Sequence, residues 1–371
     1  MKLVISGGGT GGHIYPALTI AREVLKLDNS CEILFIGTKA GLEADIIPKE
    51  GFNFATVNVQ GLERKLSVKN VRTIFNAAGG VFQSLRLLRA FRPDVAVGTG
   101  GFVCGPVLLA ASLLRIPALI QEQNAIPGVT NKILAKFVDQ IAVGYEDAKQ
   151  YFGGQKAKVI VTGNPVREDV LTAVRDAGAS SLGLDKNKRT VFVSGGSRGA
   201  RSINKAMVRL YKNFVGNDEF QILHITGQSE YNNIIDEVKQ AGIDLAKNGN
   251  IIIKPYLYNM PEAYAAADLA VFRAGAVALA ELTLRGVPAI LVPYPYAAEN
   301  HQEFNAKVME KHGAAVVIKD SELNGEILLQ TIRELLSDTD KLKKMSEETH
   351  KLAYPQAAQE LAKLVLALGR H

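Results

Sequence analysis

The chain has 371 residues, of which 47% are hydrophobic and 22% charged, which excludes a disordered protein and predicts a globular one with a sizeable core. Its two cysteines, Cys31 and Cys104, exclude a disulfide framework and are typical of an intracellular protein. The N-terminus runs directly into a strand pattern, so we expect no signal peptide. The longest apolar stretch, residues 107–120, is interrupted by Arg115 and Pro117, so we expect no transmembrane segment.

The net charge of +6 belongs entirely to the first half of the chain. Residues 1–163 contain 18 Lys and Arg against 12 Asp and Glu, whereas residues 164–371 contain 25 of each kind. One segment without any acidic residue, 64–93, contributes seven cations: Arg64, Lys65, Lys69, Arg72, Arg86, Arg89 and Arg92. We therefore expect the first half to present a basic surface to a negatively charged partner.

Short β-branched runs alternate with longer helical patterns, which is typical of βαβ units around a parallel sheet. The predicted strands of the first half are Lys2–Ser6, Ile33–Gly37, Ala55–Val59, Val95–Gly98, Ala118–Gln121, Gln140–Val143 and Val159–Thr162. Those of the second half are Thr190–Ser194, Gln221–Thr226, Ile251–Lys254, Leu269–Phe272, Ala289–Val292 and Ala315–Val317. Amphipathic helices are predicted between them, for example at Ile14–Leu27 and Ser202–Phe214. We predict an α/β fold of two Rossmann-like, doubly wound parallel-sheet domains, although the length also allows one large domain.

The boundary between the domains is predicted near residue 163. Gly163 and Pro165 interrupt the pattern, and a polar stretch precedes the next strand. Both halves begin alike, with MKLVISGGGTGGH in the first and RTVFVSGGSRGAR in the second. We predict an N-terminal domain over residues 1–163, a linker over 164–189 and a C-terminal domain over 190–352. A helix over 353–371 is expected to return to the N-terminal domain.

The first glycine-rich loop, Gly7–Gly12, matches G-x-G-x-x-G and lies between a strand and a helix. In a nicotinamide-dependent dehydrogenase, an Asp or Glu at the end of the second strand binds the ribose hydroxyls. The second strand here ends in Phe35-Ile36-Gly37-Thr38, without an acid. The pattern therefore argues against a dehydrogenase.

Two more loops of this kind follow predicted strands, at Gly100–Pro106 and Ser194–Ala200. All three place backbone N–H groups at strand ends and helix N-termini, where parallel sheets bind anionic ligands. No G-x-x-x-x-G-K-[ST] motif occurs, which argues against ATP hydrolysis. Any one loop could be a tight turn that the fold requires, but three in equivalent positions predict a site that binds a diphosphate.

His13 follows the first loop at a helix N-terminus. The positive end of the helix dipole favours the neutral ring there, and a neutral imidazole can act as a general base. The alternative is a histidine that only bonds locally. The other five histidines lack metal-ligand spacing, so we expect no catalytic metal.

A second candidate site lies in the second half, where residues 272–281 leave a strand and enter a helix. Gly275 at the helix entry suits a phosphate, and Glu281, about two turns inside, suits ribose hydroxyls. The alternative is a packed helix with one solvated Glu. Gln302 and Asn305 are three residues apart, so they share a helix face and could bind sugar hydroxyls.

The segments GGGTGGHIYPAL, GTGGFVCGP, QEQNAIPGVTNK, GNPVR, SGGSRGAR, RAGAVALAE and ENHQEFNA occur in this order along the chain. Together they resemble the MurG family, the peptidoglycan N-acetylglucosaminyltransferases that make lipid II. The resemblance covers essentially the whole chain. It implies the GT-B fold, in which two Rossmann-like domains face each other across a cleft. It also implies roles in cell-wall synthesis, cell shape and cell division.

The resemblance implies an inverting transfer of N-acetylglucosamine from UDP-N-acetylglucosamine to the muramoyl 4-hydroxyl of lipid I. His13 is then the candidate base. The implied donor contacts are Thr10, Gly11, Gly12, Asn124, Arg167, Ser197, Leu257, Ala276, Val277, Ala278, Leu279, Ala280, Glu281 and Gln302. Among these implied contacts, the backbone of Leu257 binds the uracil and Glu281 binds the ribose. The acceptor diphosphate is assigned to Gly9, Gly100, Gly101, Phe102 and Gly105. No tightly bound cofactor is implied, and at most a non-essential divalent cation.

The chain departs from the family pattern at three positions. Gln121 stands where the family commonly has His, so no base is placed there. Ala274 and Ala278 replace two hydroxyl residues, so any phosphate contact at these positions must come from backbone N–H groups. Other activities stay open on this fold: a diacylglycerol glycosyltransferase, a UDP-sugar epimerase, or a non-catalytic protein that binds nucleotide sugars.

The basic segment gains a role from the lipid acceptor. Ile74, Phe75, Ala78, Val81, Phe82 and Leu85 form an apolar stripe at helical spacing beside the cations. The stripe suits an anionic membrane surface at the cytoplasmic face, with Lys69, Arg72, Ile74, Phe75, Phe82, Arg86 and Arg89 as the contact residues. Alternatively, the stripe packs on the protein's own sheet. Nucleic acid is not an expected partner, because no binding motif is present. Other proteins of cell-wall synthesis or cell division are expected partners.

Overall fold

The structure is a computed structural model that describes residues 1–59, 68–196, 199–216, 219–245 and 249–370, with the backbone alone at 68–77. The chain forms two units. The first contains residues 1–166 and 356–371, and the second contains residues 167–355.

The first unit is built on a seven-stranded parallel sheet in the order β3-β2-β1-β4-β5-β6-β7. Its strands are β1 (Lys2–Gly7), β2 (Glu32–Gly37), β3 (Asn53–Thr56), β4 (Val95–Gly100), β5 (Ala118–Glu122), β6 (Gln140–Val143) and β7 (Lys158–Val161). Its α-helices are α1 (Gly11–Leu27), α2 (Glu43–Lys49), α3 (Val68–Phe91), α4 (Cys104–Leu113) and α5 (Val129–Leu134), and a 3₁₀ helix spans Glu146–Phe152.

The second unit has a six-stranded parallel sheet in the order β10-β9-β8-β11-β12-β13. Its strands are β8 (Arg189–Ser194), β9 (Phe220–Ile225), β10 (Ile251–Lys254), β11 (Leu269–Phe272), β12 (Ala289–Leu291) and β13 (Ala315–Val317). Its described α-helices are α6 (Glu168–Thr172), α7 (Arg175–Leu182), α8 (Arg201–Tyr211), α9 (Tyr231–Gln240), α10 (Met260–Ala266), α11 (Ala276–Arg285), α12 (His301–Lys311), α13 (Gly325–Ser337) and α14 (Thr339–Lys351).

Helices cover both faces of each sheet, so the central strands are apolar along their whole length. In β1 and β8 every residue after the first is buried. The strand order reverses between β1 and β4 in the first unit, and between β8 and β11 in the second. Open parallel sheets bind ligands beyond the carboxyl ends of the strands at such a point. The three glycine loops and the Gly275 segment follow these four strands.

The predicted fold class is confirmed: each unit is a Rossmann-like parallel sheet. Each of the thirteen predicted strands coincides with an observed one, and the ends differ by at most three residues. The largest difference is at β3, which ends at Thr56 rather than Val59. The C-terminal helix, α15 (Ala357–Leu368), packs against α1, with Leu361 and Val365 in the same core as Ile14.

The segment predicted as a linker, residues 164–189, has more structure than expected. Residues from 167 onward belong to the second unit, where α6 and α7 pack against α10. A Cβ on Gly178 would lie 2.6 Å from the backbone of Glu262, so the glycine permits the close approach of α7 and α10. The polar composition of this segment therefore marks the surface of two short helices.

Helix α3 carries the predicted membrane stripe and packs on α4. Val81 and Leu85 pack against the core of their own unit, as the alternative interpretation of the stripe expected. Phe82 is 63% exposed, and Arg86 and Arg89 are exposed as well. The side chains of Lys69, Arg72, Ile74 and Phe75 lie outside the described part of the structure.

Candidate active site

The first two glycine loops are packed against each other at the ends of β1 and β4. The Gly8 N–H donates to the Gly100 carbonyl at 3.3 Å. A Cβ on Gly101, where φ is +85°, would lie 2.4 Å from the Gly8 carbonyl oxygen. A Cβ on Gly100 would lie 2.6 Å from Nδ1 of His13. The glycines are therefore needed because two backbones and an imidazole ring meet here without room for side chains.

A buried carboxylate, Glu43 at the start of α2, supports the first loop. Its Oε2 accepts the Gly9 N–H at 3.0 Å, and its Oε1 accepts the N–H and Oγ–H of Thr38 at 3.0 and 2.7 Å. Burial opposes ionisation, but these hydrogen bonds outweigh it and lower the pKa of Glu43. Gly9 was predicted to contact the acceptor diphosphate, but its N–H already donates to Glu43, so the next amides along the loop are those from Thr10 onward. Helix α1 begins there without a side-chain cap.

His13 is held by a chain of buried amides. Its Nδ1 lies 3.0 Å from the Thr99 carbonyl oxygen and 3.2 Å from Oε1 of Gln123. Gln123 Nε2 donates to the Thr99 carbonyl at 2.7 Å and to Oε1 of Gln121. Gln121 in turn donates to Oδ1 of Asn164 at 3.0 Å. Gln121 is fully buried, so it orients this chain and has no access to a substrate.

A second buried carboxylate, Glu122, orders the loop that follows β5. Its Oε1 accepts the backbone N–H of Asn124 at 2.9 Å and the side-chain amide at 3.1 Å. Its Oε2 accepts from Gly128 N at 3.1 Å and Asn131 Nδ2 at 2.8 Å. The half-buried Asn124, predicted to contact the donor, is therefore fixed by the acid two residues before it.

The third glycine loop follows β8 in the second unit. A Cβ on Gly199 would lie 2.1 Å from the Thr226 carbonyl oxygen, so this loop also requires a bare backbone. Asn204 Nδ2 donates to the same carbonyl at 2.9 Å and its Oδ1 pairs with Nε2 of His224 at 3.0 Å. The predicted contact Ser197 lies outside the described residues.

The entry of α11 combines an uncapped helix N-terminus with a buried acid. The helix begins after Gly275 with no side-chain cap, and Val277 and Ala278 in its first turn are partly exposed. Glu281 is 9% exposed, so it is not the solvated residue of the alternative interpretation. Its Oε2 accepts the Tyr264 hydroxyl at 2.7 Å. Burial raises the pKa of Glu281, against the Tyr264 hydrogen bond and the charge of Arg167.

Other predicted donor contacts lie in the same unit. The Leu257 side chain is buried, and Arg167 is half-buried at the start of α6. Gln302 accepts the Tyr294 N–H at 3.0 Å. Asn305 is fully buried and donates to the Ala274 carbonyl at 3.1 Å, so it holds the segment before α11.

The sequence pattern did not predict the supporting roles of Glu43, Thr99, Glu122, Gln123 and Tyr264. The expected dehydrogenase acid is absent from the end of β2, and Glu43, five residues beyond Thr38, turns into the loop instead. The position of Glu43 just after β2 could have been used to predict its contact with the loop. The ring contacts of Tyr264 could not be predicted in this way, because they depend on tertiary packing. Among the described residues, no three His, Cys, Asp or Glu side chains are grouped to hold a metal ion.

Two family models match the chain: the glycosyltransferase family 28 N-terminal domain at residues 3–143 and the C-terminal domain at residues 190–361. The chain is 51% identical over 365 residues to a UDP-N-acetylglucosamine–N-acetylmuramyl-(pentapeptide) pyrophosphoryl-undecaprenol N-acetylglucosamine transferase of Desulforamulus reducens, covering 98% of each. A protein of the same name from Halothermothrix orenii is 49% identical, with 98% of each chain covered.

Solved structures give the same relationship. MurG of Acinetobacter baumannii has a TM-score of 0.77 and 28% identity, with 99% of each chain covered. A UDP-GlcNAc 2-epimerase of Neisseria meningitidis has a TM-score of 0.68 at 13% identity, covering 99% of this chain and 100% of that one. The second likeness is one of fold alone.

Two Rossmann-like units, each with its glycine loop at the switch point of a parallel sheet, define a glycosyltransferase of the GT-B class. The chain belongs to the MurG family within glycosyltransferase family 28. This confirms the resemblance identified from the sequence motifs.

Proposed function

We propose that this protein transfers N-acetylglucosamine from UDP-N-acetylglucosamine to lipid I and so forms lipid II. The observation that carries the proposal is the near full-length similarity to enzymes of that name. Two further observations support it: α1 and α11 begin without side-chain caps, and His13 and the buried Glu281 lie on these helices.

The reaction requires a base for the acceptor and stabilisation of the leaving diphosphate. We assign the base to His13: Nε2 takes the proton of the muramoyl 4-hydroxyl as its oxygen bonds to C1 of the donor sugar. The bond from C1 to the UDP oxygen breaks with its electron pair on the diphosphate, and the anomeric configuration inverts. The first-turn amides of α11 receive the negative charge, and Glu281 accepts from the ribose hydroxyls.

We further propose that the first unit binds the cytoplasmic surface of an anionic membrane. Exposed apolar side chains lie on three helices that pack in sequence, α3, α4 and α5: Phe82, Leu113, Val129 and Ile133, with Phe137 just beyond α5. Arg86, Arg89, Arg115 and Lys136 are exposed beside them. Apolar groups that insert between headgroups and cations that pair with anionic lipids act together in peripheral binding. No described helix is long and apolar enough to cross a membrane.

The activity is tested by incubating the protein with UDP-N-acetylglucosamine and a short-chain lipid I analogue, and following both UDP and the disaccharide product. We expect one product per UDP released, with transfer that continues in the presence of a chelator. Folded protein that releases no UDP, or that isomerises the donor sugar without an acceptor, would contradict the assignment. The second outcome would indicate an epimerase.

The membrane proposal is tested by sedimentation with vesicles of phosphatidylglycerol and phosphatidylcholine. Phe82→Ser with Arg86→Glu and Arg89→Glu should lower the bound fraction several-fold and weaken its dependence on phosphatidylglycerol, since each cation contributes about 1 kcal/mol near an anionic surface. A variant on α14 with the same change in net charge, Lys343→Glu with Lys344→Glu, serves as the control. Equal losses in the two variants would show that binding depends on net charge alone.

A further inference from the structure

Tyr264 lies in α10 with its ring locked in an aromatic cluster of the second unit. The side chain is 1% exposed. Its ring centroid lies 5.6 Å from that of Phe192, edge to face, and 5.9 Å from that of Phe272. The ring centroids of Phe192 and Phe272 lie 4.9 Å apart, and these two rings also pack edge to face. These two residues belong to β8 and β11, the strands at the switch point, so the position of the hydroxyl is fixed by the sheet.

The Tyr264 hydroxyl is directed at one oxygen of Glu281. It donates to Oε2 at 2.7 Å. Burial and the neighbouring carboxylate raise the pKa of Tyr264 well above its ordinary value, so the phenol stays protonated and acts as a donor. Burial also raises the pKa of Glu281, and the Tyr264 hydrogen bond is the largest effect that opposes it. The contact therefore holds one oxygen of the carboxylate and favours its charged form.

A ribose diol needs such control. Two neighbouring hydroxyls bind most strongly to a carboxylate that is ionised and turned towards them, because protonation removes a lone pair and makes one oxygen a donor. With Oε2 engaged by Tyr264, the rotation of the Glu281 carboxylate is restricted and Oε1 is presented in one direction. A carboxylate already oriented before the ligand arrives costs less to order on binding.

We infer that Tyr264 is a positioning residue for nucleotide recognition, which acts through Glu281 on the ribose hydroxyls of the UDP moiety. The inference rests on the proposed function for the donor nucleotide and adds a residue that does not touch the ligand. It predicts that the effect of Tyr264 is confined to ligands that carry the ribose hydroxyls.

The test is a thermodynamic cycle between the protein and the ligand. Dissociation constants for UDP and 2′,3′-dideoxy-UDP are measured by calorimetry with the wild-type protein and with Tyr264→Phe. We expect UDP to bind about tenfold more weakly to the variant, the loss expected for a hydrogen bond to a charged group. The affinity for 2′,3′-dideoxy-UDP should change less than about twofold, because both hydroxyls from which Glu281 would accept are missing.

Tyr211→Phe is the matched control. Tyr211 is also fully buried in the second unit, but its hydroxyl pairs with Nδ1 of His224 at 2.5 Å. This variant should leave the ratio of the two dissociation constants unchanged. A Tyr264→Phe variant that loses the same factor for both nucleotides would show a purely structural role and overturn the inference.

The pH dependence of UDP binding gives a second readout. UDP affinity should fall towards acid pH as Glu281 is protonated. Tyr264→Phe removes a contact that lowers the pKa of Glu281, so in this variant the loss of affinity should occur at higher pH. If Tyr264→Phe does not fold, 3-fluorotyrosine at position 264, a stronger donor, should move the fall to lower pH. An unmoved profile in either case contradicts the inference.

The failures of the two proposals can be told apart. A wild-type protein that prefers UDP over 2′,3′-dideoxy-UDP but transfers no sugar would contradict the proposed reaction and leave the inference standing. A wild-type protein that transfers sugar but binds the two nucleotides equally would overturn the inference alone.

Discussion

His13 and Thr99 are joined by two hydrogen bonds in opposite directions. The Thr99 hydroxyl donates to the His13 backbone carbonyl at 2.8 Å, and the Thr99 carbonyl lies 3.0 Å from Nδ1 of the His13 ring. A carbonyl can only accept, so Nδ1 carries a proton, and in the neutral tautomer the lone pair is then on Nε2. The ring is thereby fixed in the tautomer that a base acting through Nε2 requires.

His13→Ala should lower kcat by at least about 100-fold, the contribution of a general base. The dissociation constant for UDP should change little, since the amides of the loop remain. Transfer kinetics and calorimetry measure the two effects, with His312→Ala at an exposed position as the control. Equal losses in turnover and in nucleotide affinity would instead make His13 a binding residue.

Gly101→Ala should lower both the melting temperature and the transfer rate. The new Cβ would meet the Gly8 carbonyl at 2.4 Å, at a φ of +85° that a side chain rarely adopts. Separating the two loops should cost about 1–3 kcal/mol of stability. Gly79→Ala in α3 is the control, because nothing lies within 4 Å of its Cβ and alanine favours a helix. Similar melting temperatures for the two variants would contradict the close approach.

Glu43→Gln should destabilise the first unit by about 1–3 kcal/mol, because an amide replaces an acceptor among three donors and leaves one unpaired. The pKa of Glu43 is lowered in the folded protein, so its contribution is complete above the unfolded value near 4.5 and is lost as the pH falls further. Denaturation between pH 3 and 7 measures it. Below pH 4 the difference in unfolding free energy between the wild type and Glu43→Gln should become smaller. A difference that grows would refute this role. Glu32→Gln, at an exposed residue of β2, is the control.

The buried His224 should make the second unit less stable in mild acid. Burial lowers the pKa of His224 to about 3. Between pH 6.5 and 3 the unfolded chain binds a proton that the folded unit does not, so stability falls as the pH falls, by at most about 1.4 kcal/mol per unit. Hydrogen exchange of the amides in β8 and β9 measures this loss of stability within the second unit. His224→Gln should flatten the dependence relative to wild type, and His312→Gln should not.

Much of this architecture was accessible from local sequence. Apolar strand runs and amphipathic helices repeat at periods set by the backbone, so the strands, both sheets and the two-unit plan could be predicted. The glycine loops were predictable for the same reason, since positive φ and bare backbone leave a direct mark in the residue type. The basic segment was visible, but the division of α3 into packed Val81 and exposed Phe82 was not.

The sequence by itself determined the fold class, the family and the residues that border the glycine loops. Only the tertiary structure decided how those residues are held: Thr99 and Gln123 orient His13, Glu43 takes the Gly9 amide, and Tyr264 fixes Glu281. Each of these contacts joins residues far apart in the chain, from 17 positions for Tyr264 and Glu281 to 110 for His13 and Gln123. A local pattern carries no record of such pairs, because the direction of a buried hydrogen bond is set by the packing of the elements on which its two partners lie.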